Sequence, residues 1–339
     1  MKICELIASN GNGGLESHFV DLCNGLAAKG HQVNVIVPQN FSGIFSHNII
    51  IHHLHLNKSR RNLFLLWSLY KTIHHIAPDI VHGHASKGAN LLAMIKRFIP
   101  YPCVATIHNI KSNLNGYKKM DAVIGVSKGV LAQFTHPTKE LIYNGLDVKS
   151  TQHSQSKLVD LCKQSISRPI ILSIGRLVEA KDFAMLINAW QGIDADLAIV
   201  GDGPLRKSLE NQIESLNLSS SIHLLGYVNN ASSLIKSADL IVISSKREGF
   251  NYVMAEALLQ QKPVLSTDVP APNEILPKQF LTPPADSIAM HDKIEQCLAD
   301  LDSVNAEFET LYNWSQKTFS LESMVSATEN FFLNITKAK

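Results

Sequence analysis

The feature that most narrows what this chain can fold into is an alternation, kept up over most of its length, between short apolar runs and longer stretches with helical spacing. Runs at Met1–Ala8, Gln32–Val37, Asp79–His82, Cys103–Thr106, Ala122–Val126 and Glu140–Ile142 read as strands, with amphipathic helices such as Glu16–Ala28 and Lys87–Phe98 between them. Strands that are apolar along their whole length, each followed by a helix, are the pattern of a parallel sheet covered on both faces. A second series begins after the polar stretch Lys149–Ser156. It runs Pro169–Ile174, helix Phe183–Trp190, Asp196–Val200, helix Leu205–Ser215, His223–Leu225, helix Ala231–Lys236, Leu240–Ser244, helix Tyr252–Gln260 and Pro263–Ser266.

Two open α/β series predict two doubly wound domains, 1–160 and 161–318, and 339 residues suffice for two cores. Ligands of such sheets bind outside the carboxyl ends of the strands, so facing domains would hold the site in the cleft between them. Past about residue 288 the chain reads as helical and polar, and a tail bearing Trp314, Phe319, Met324, Phe331 and Phe332 is expected to return to the first domain, with 319–339 as its closing helix. The opening run contains Glu5 and leads into a Gly-rich loop, so it reads as a strand rather than a signal peptide. The apolar runs fall short of the ~18–20 residues a bilayer crossing needs. Five scattered cysteines, Cys4, Cys23, Cys103, Cys162 and Cys297, read as reduced thiols of a cytoplasmic protein.

A net charge of +2 hides a division. Residues 1–165 carry 17 Lys+Arg and 8 Asp+Glu, net +9; the remainder carries 14 and 21, net −7; thirteen of the fifteen His lie in the first part. The first half is therefore expected to meet something anionic.

Three segments carry candidate chemistry. The loop Ser9-Asn10-Gly11-Asn12-Gly13-Gly14-Leu15-Glu16 lies between a strand and a helix, where amides and the helix dipole suit a phosphate; a tight turn with no ligand reads equally well. Arg176 and Lys181 stand five residues apart just past a strand and can converge on a diphosphate, or else pair with Glu179 and Asp182. In Lys246-Arg247-Glu248-Gly249-Phe250-Asn251-Tyr252-Val253-Met254-Ala255-Glu256, two glutamates have seven residues between them, and Glu256 lies among apolar neighbours that make an unpartnered carboxylate costly. Ribose hydroxyls would partner it.

Together these segments resemble the retaining, nucleotide-sugar-dependent glycosyltransferases of the GT-B fold, family four. The matching motifs include Gly13-Gly14-Leu15-Glu16, Val81-His82-Gly83-His84, Thr106-Ile107-His108-Asn109, Val126-Ser127-Lys128, Tyr143-Asn144-Gly145-Leu146-Asp147, Gly175-Arg176 with Lys181, Gly201-Asp202-Gly203-Pro204, Gly226-Tyr227-Val228 and the Glu-x7-Glu segment, in family order over nearly the whole chain. The resemblance implies two Rossmann-like domains. It implies that Arg176 and Lys181 grip the donor diphosphate, that Glu256 binds the ribose and that Glu248 meets the donor sugar. Gly13, Gly14, Gly249, Phe250 and Asn251 would complete the phosphate and sugar cradle, and Gly203 and Val228 the base pocket. His84 would lie near the reacting sugar and His108 on the acceptor side. Asn251 departs from the family, which often has Gly there.

The implied reaction is transfer of a hexose or related sugar from a nucleotide-diphosphate sugar, UDP by frequency, to a saccharide or lipid-linked hydroxyl in cell-surface polysaccharide or lipopolysaccharide assembly. Retention would follow a front-face route. No metal or other cofactor is expected, the two cations taking that part. Lys58, Arg60 and Arg61 precede an amphipathic helix bearing Leu63, Leu66, Trp67 and Tyr70, so segment 57–76 is expected to meet an anionic membrane surface as a peripheral contact; an ordinary packed helix with solvated cations is the alternative. A nucleotide-sugar 2-epimerase of the same fold and a non-catalytic sugar-binding module remain competing readings. Nucleic-acid binding is not expected.

Overall fold

The computed structural model describes residues 1–11, 13–110, 113–147 and 168–337. Asn12 of the first loop, the polar stretch Lys149–Ser156, the expected boundary at 160/161 and Cys162 lie outside the described residues. The chain divides into two compact units, Met1–Leu146 with Thr318–Lys339, and Asp147–Lys317.

The first unit runs β1 Lys2–Ile7, α1 Gly14–Ala28, β2 Gln32–Pro38, β3 Ile50–Leu54, α2 Leu63–Ile76, β4 Ile80–His84, α3 Ala85–Ile95, β5 Cys103–Ile107, β6 Ala122–Gly125, α4 Lys128–Ala132 and β7 Lys139–Leu141. Its strands form a parallel seven-stranded sheet in the order β3-β2-β1-β4-β5-β6-β7. Central strands β1, β4 and β5 are buried on both faces, which is why their sequences are almost unbroken apolar runs. β3 was not expected from sequence. It is an edge strand, IIHHL, with Ile50 and Ile51 each 44% exposed, and an edge needs no continuous apolar run.

The second unit runs β8 Ile170–Ile174, α5 Phe183–Ala189, β9 Asp196–Val200, α6 Arg206–Ser215, β10 Ile222–Gly226, α7 Ser232–Ile235, β11 Leu240–Ile243, α8 Tyr252–Leu259, β12 Val264–Thr267, α9 Pro272–Ile275, β13 Leu281–Thr282, α10 Ser287–Ala299 and α11 Leu301–Thr318. Its six parallel strands are ordered β10-β9-β8-β11-β12-β13.

The last helix, α12 Leu321–Lys337, packs in the first unit. Met324, Val325, Phe331 and Phe332 share one core with Leu22, Cys23 and Leu26 of α1. Burying side chains of this kind contributes about 1.5–3 kcal/mol each. The helices approach so closely at Gly25 that a Cβ there would lie 2.3 Å from Cγ2 of Val325. Trp314 does not follow the tail as expected: it sits in α11 of the second unit, 38% exposed.

Candidate active site

In each sheet the strand order reverses once, between β1 and β4 in the first unit and between β8 and β11 in the second. Strands on either side of such a reversal send their following loops apart, which leaves a crevice at their carboxyl ends. The candidate residues collect at these two places.

In the second unit the loops after β8 and β11 are locked together. Lys246 donates its amide to Ala180 O (2.9 Å), and the Ser244 hydroxyl donates to Lys181 O (2.7 Å). Thr267, at the end of β12, donates to Ser245 O at 2.6 Å. This frame brings Lys181 and Glu248 together, Nζ to Oε1 at 2.6 Å. The same Oε1 accepts from Ser245 Oγ at 2.6 Å and Asn251 Nδ2 at 3.0 Å. Glu248 is thus held firmly by one oxygen, and its Oε2 accepts no hydrogen bond from the described residues. Arg176 stands exposed, with no ion pair among the described residues. The alternative pairing expected from sequence does not form: Asp182 meets Lys246 instead, at 3.4 Å.

Asn251 replaces a glycine of the family pattern and takes on two tasks. Its Oδ1 caps α8 by accepting from Met254 N at 2.9 Å, while its Nδ2 holds Glu248. Gly249 and Phe250 are buried where the chain enters that helix. Glu256 lies just over one turn in, partly buried, and its carboxyl has no hydrogen-bonding partner among the described residues. Burial pushes its pKa up to about 7. Nearby, the loop after β9 presses on the loop after β8: Gly201 has φ +137°, and a Cβ on Gly203 would lie 2.5 Å from Leu177 O. Val228 is half-buried beside Tyr227, which is 77% exposed.

In the first unit the glycine loop is partly occupied from within. Glu16 folds back over the start of α1, accepting from Gly13 N at 3.0 Å and from the Ser9 hydroxyl. The Gly13 amide expected to face a phosphate is therefore engaged by a carboxylate that the helix dipole favours. At the reversal between β1 and β4, Glu5 is registered opposite His82. Glu5 Oε2 accepts from His84 Nε2 at 2.7 Å, and His82 Nδ1 lies 2.8 Å from the same oxygen. His82 also reaches Thr106 Oγ1 at 2.7 Å. His84 Nδ1 faces His108 Nε2, just past β5, at 3.4 Å. His18 of α1 completes the group, its ring 4.7 Å from His108 and 5.6 Å from His84. Sequence reasoning missed Glu5 and His18; the signal was an acid inside a strand buried on both faces, which must find partners.

Around α2 the structure reverses one expectation. Leu65, Leu69, Ile73 and Ile76 form the buried face, whereas Leu63, Phe64 and Trp67 point to solvent at 78%, 80% and 59% exposure. The stripe read from sequence is thus largely the outer face. Arg60 and Arg61 line a cavity of about 320 Å³ together with Lys119, Asn90, Asn113 and Asn115, and no acidic residue among the described residues lines it. No helix among the described residues is long and apolar enough to cross a membrane.

The sequence contains two Asp-x-Asp triplets, Asp194-Ala195-Asp196 and Asp300-Leu301-Asp302. Asp194 pairs with Arg168, and Asp196 opens β9 beside His223, at the strand end away from the site. Asp300 accepts from the Ser303 amide, and Asp302 lies in the first turn of α11.

Comparison with known proteins identifies the family. The family Glycosyltransferase Family 4 matches residues 12–150, and Glycosyl transferases group 1 matches residues 163–311. The chain belongs to this family of retaining, nucleotide-sugar-dependent glycosyltransferases and has the GT-B fold. It is 27% identical over 78% of both chains to an uncharacterized glycosyltransferase of Methanocaldococcus jannaschii. Over 45% of this chain and 42% of the other, it is 33% identical to the N-acetylgalactosamine-N,N'-diacetylbacillosaminyl-diphospho-undecaprenol 4-alpha-N-acetylgalactosaminyltransferase of Campylobacter jejuni. Among solved structures, Anabaena HepE in complex with UDP superposes with a TM-score of 0.85 at 21% identity, covering 98% of this chain and 100% of that one. HepE has also been solved with UDP-glucose.

Proposed function

We propose that this glycosyltransferase moves a sugar from a UDP-sugar to a hydroxyl of a lipid-linked saccharide, of the kind used in cell-surface polysaccharide assembly, at an anionic membrane surface. The observation that carries the donor half is the set of unsatisfied groups at the β8/β11 reversal. Arg176 is bare, Lys181 is positioned by Glu248, Glu248 keeps one oxygen free, and Glu256 is desolvated without a partner. A nucleoside diphosphate sugar supplies a complement to each. Its diphosphate meets Arg176 and Lys181, its ribose hydroxyls donate to Glu256, and a sugar hydroxyl donates to Oε2 of Glu248. Gly249, Phe250 and Asn251 line the phosphate and sugar, and Gly203 and Val228 the base.

In the transfer step the bond between the anomeric carbon and the diphosphate oxygen breaks while a bond to the acceptor oxygen forms on the same face. The acceptor proton passes to the departing phosphate, whose growing charge Arg176 and Lys181 stabilise. Thermal-shift measurements with UDP, GDP, ADP and their sugars test the donor: stabilisation by UDP and a UDP-sugar is expected, and a flat response to all would contradict it.

The acceptor half is supported by the outward Leu63, Phe64 and Trp67 beside the cation-lined cavity of Arg60, Arg61 and Lys119, and by the diphospho-undecaprenol acceptor in the name of the Campylobacter relative. Basic residues near an anionic surface contribute about 1 kcal/mol each. Co-sedimentation with anionic vesicles, weakening with salt and absent with neutral ones, is the expected outcome; equal binding to both would overturn it.

A further inference from the structure

Buried polar atoms in folded proteins are nearly always satisfied, so a group of them left without partners in one place calls for an explanation. The first unit contains such a group. His18 is 4% exposed, yet neither of its ring nitrogens has a hydrogen-bond partner among the described residues, and Oε1 of the fully buried Glu5 has none there either. Both belong to the cluster at the β1/β4 reversal, where one nitrogen from each of His18, His84 and His108 lies within 4.8 Å of the others.

The arrangement around His84 has a direction. Its Nε2 donates to Glu5 Oε2 at 2.7 Å, which places the ring proton on Nε2 and leaves Nδ1 as a lone pair. That lone pair points toward His108 Nε2, 3.4 Å away. Nitrogens bound to a tetrahedral ion at about 2.0–2.1 Å lie about 3.3–3.4 Å apart. A carboxylate that fixes the far nitrogen of a ligating imidazole is the usual support of such a ligand.

From this geometry we propose that His18, His84 and His108 form a binding site for a divalent ion of the zinc class, with Glu5 as the residue that orients His84. Three imidazole ligands suit zinc and its neighbours rather than magnesium or calcium, which take oxygen ligands. His108 is the partly exposed member, so the fourth coordination position opens on its side to a water or hydroxyl oxygen. The site goes beyond the donor assignment and does not depend on it. It runs counter to the sequence expectation that the chain binds no metal.

The test uses the full chain after treatment with a chelator. Titration with Co²⁺ should give the visible absorption of a tetrahedral centre, saturating at one equivalent and lost when Zn²⁺ displaces it. His18→Ala should abolish the absorption, and Glu5→Gln should weaken Zn²⁺ binding about 10–100-fold. Should His18→Ala fail to fold, as judged by circular dichroism, His108→Ala changes a partly exposed side chain and should give the same loss. Absence of the absorption in the wild type overturns the proposal. So does equal absorption in His18→Ala and His108→Ala, which would assign the ion to surface histidines such as His55, His74 and His75.

Discussion

The two strand-order reversals have the same topology and opposite chemistry. At β1/β4 the buried groups are imidazoles gathered around one carboxylate; at β8/β11 they are a cation and a carboxylate in contact, beside a guanidinium with no ion pair among the described residues. Net charge points the other way, +9 for residues 1–165 and −7 for the rest. Most of the excess cations in the first part stand on its surface, Lys58, Arg60 and Arg61 among them, whereas the acidic part keeps Arg176 and Lys181 at its crevice. Charge summed over a domain therefore speaks of the surface it meets, and the ligand is decided by the few groups at the crevice.

That contrast can be broken by substitution. Arg176→Ala should have the largest effect. Loss of a cation that stabilises the leaving diphosphate is expected to lower kcat about 10²–10³-fold. Because Arg176 pairs with nothing among the described residues, thermal stability should stay the same. Lys181→Ala, which also strands Glu248, should slow turnover and lower the melting temperature as well. Steady-state kinetics beside calorimetry separates the two.

Gly25→Val acts on the other unit. With only 2.3 Å between a Cβ and Val325, the packing of α1 on α12 must open, at about 1–3 kcal/mol by denaturant titration. Donor affinity should not change.

Glu256→Gln sharpens the contrast through pH. A carboxyl whose folded pKa is raised from 4.5 to about 7 binds more protons folded than unfolded, so its contribution to stability is fullest below 4.5 and is lost as pH rises to about 7. The variant should lack this decline. UDP affinity in the wild type should strengthen through the same window as the carboxylate forms, and Glu256→Gln should bind UDP about 10-fold more weakly, with no such rise, by calorimetric titration.

Asn251→Ala removes the cap of α8 and one bond to Glu248, an expected loss of about 1 kcal/mol in unfolding free energy. The smallest effect on stability, within about 0.5 kcal/mol, is expected from Leu63→Ser with Phe64→Ser, which should nonetheless reduce vesicle binding.

The alternation of strand and helix was legible because buried parallel strands leave continuous apolar runs. β3 was not, since an edge strand carries histidines and exposed isoleucines without cost. The segment of α2 was legible as a helix, but its faces were not: Leu63 and Trp67 fit a helical stripe as well as Leu65 and Leu69 do, and only packing decides which turns inward. Arg176, Lys181 and the two glutamates could be read from local spacing. The Glu5–His84 bond spans 79 positions, and no local pattern reports it. Asn251 could be seen as a departure from the family, while its two hydrogen bonds, one accepted from Met254 N of α8 and one donated to Glu248, could not. The inward fold of Glu16 over Gly13 was likewise invisible in a loop read as open.

The donor assignment rests on the diphosphate being gripped at the β8/β11 reversal, and affinity for UDP compared with uridine tests it most directly. The wild type should bind UDP far more tightly than uridine, and Arg176→Ala should erase most of that difference while leaving uridine binding as it was. An undiminished preference for UDP in Arg176→Ala would contradict the assignment.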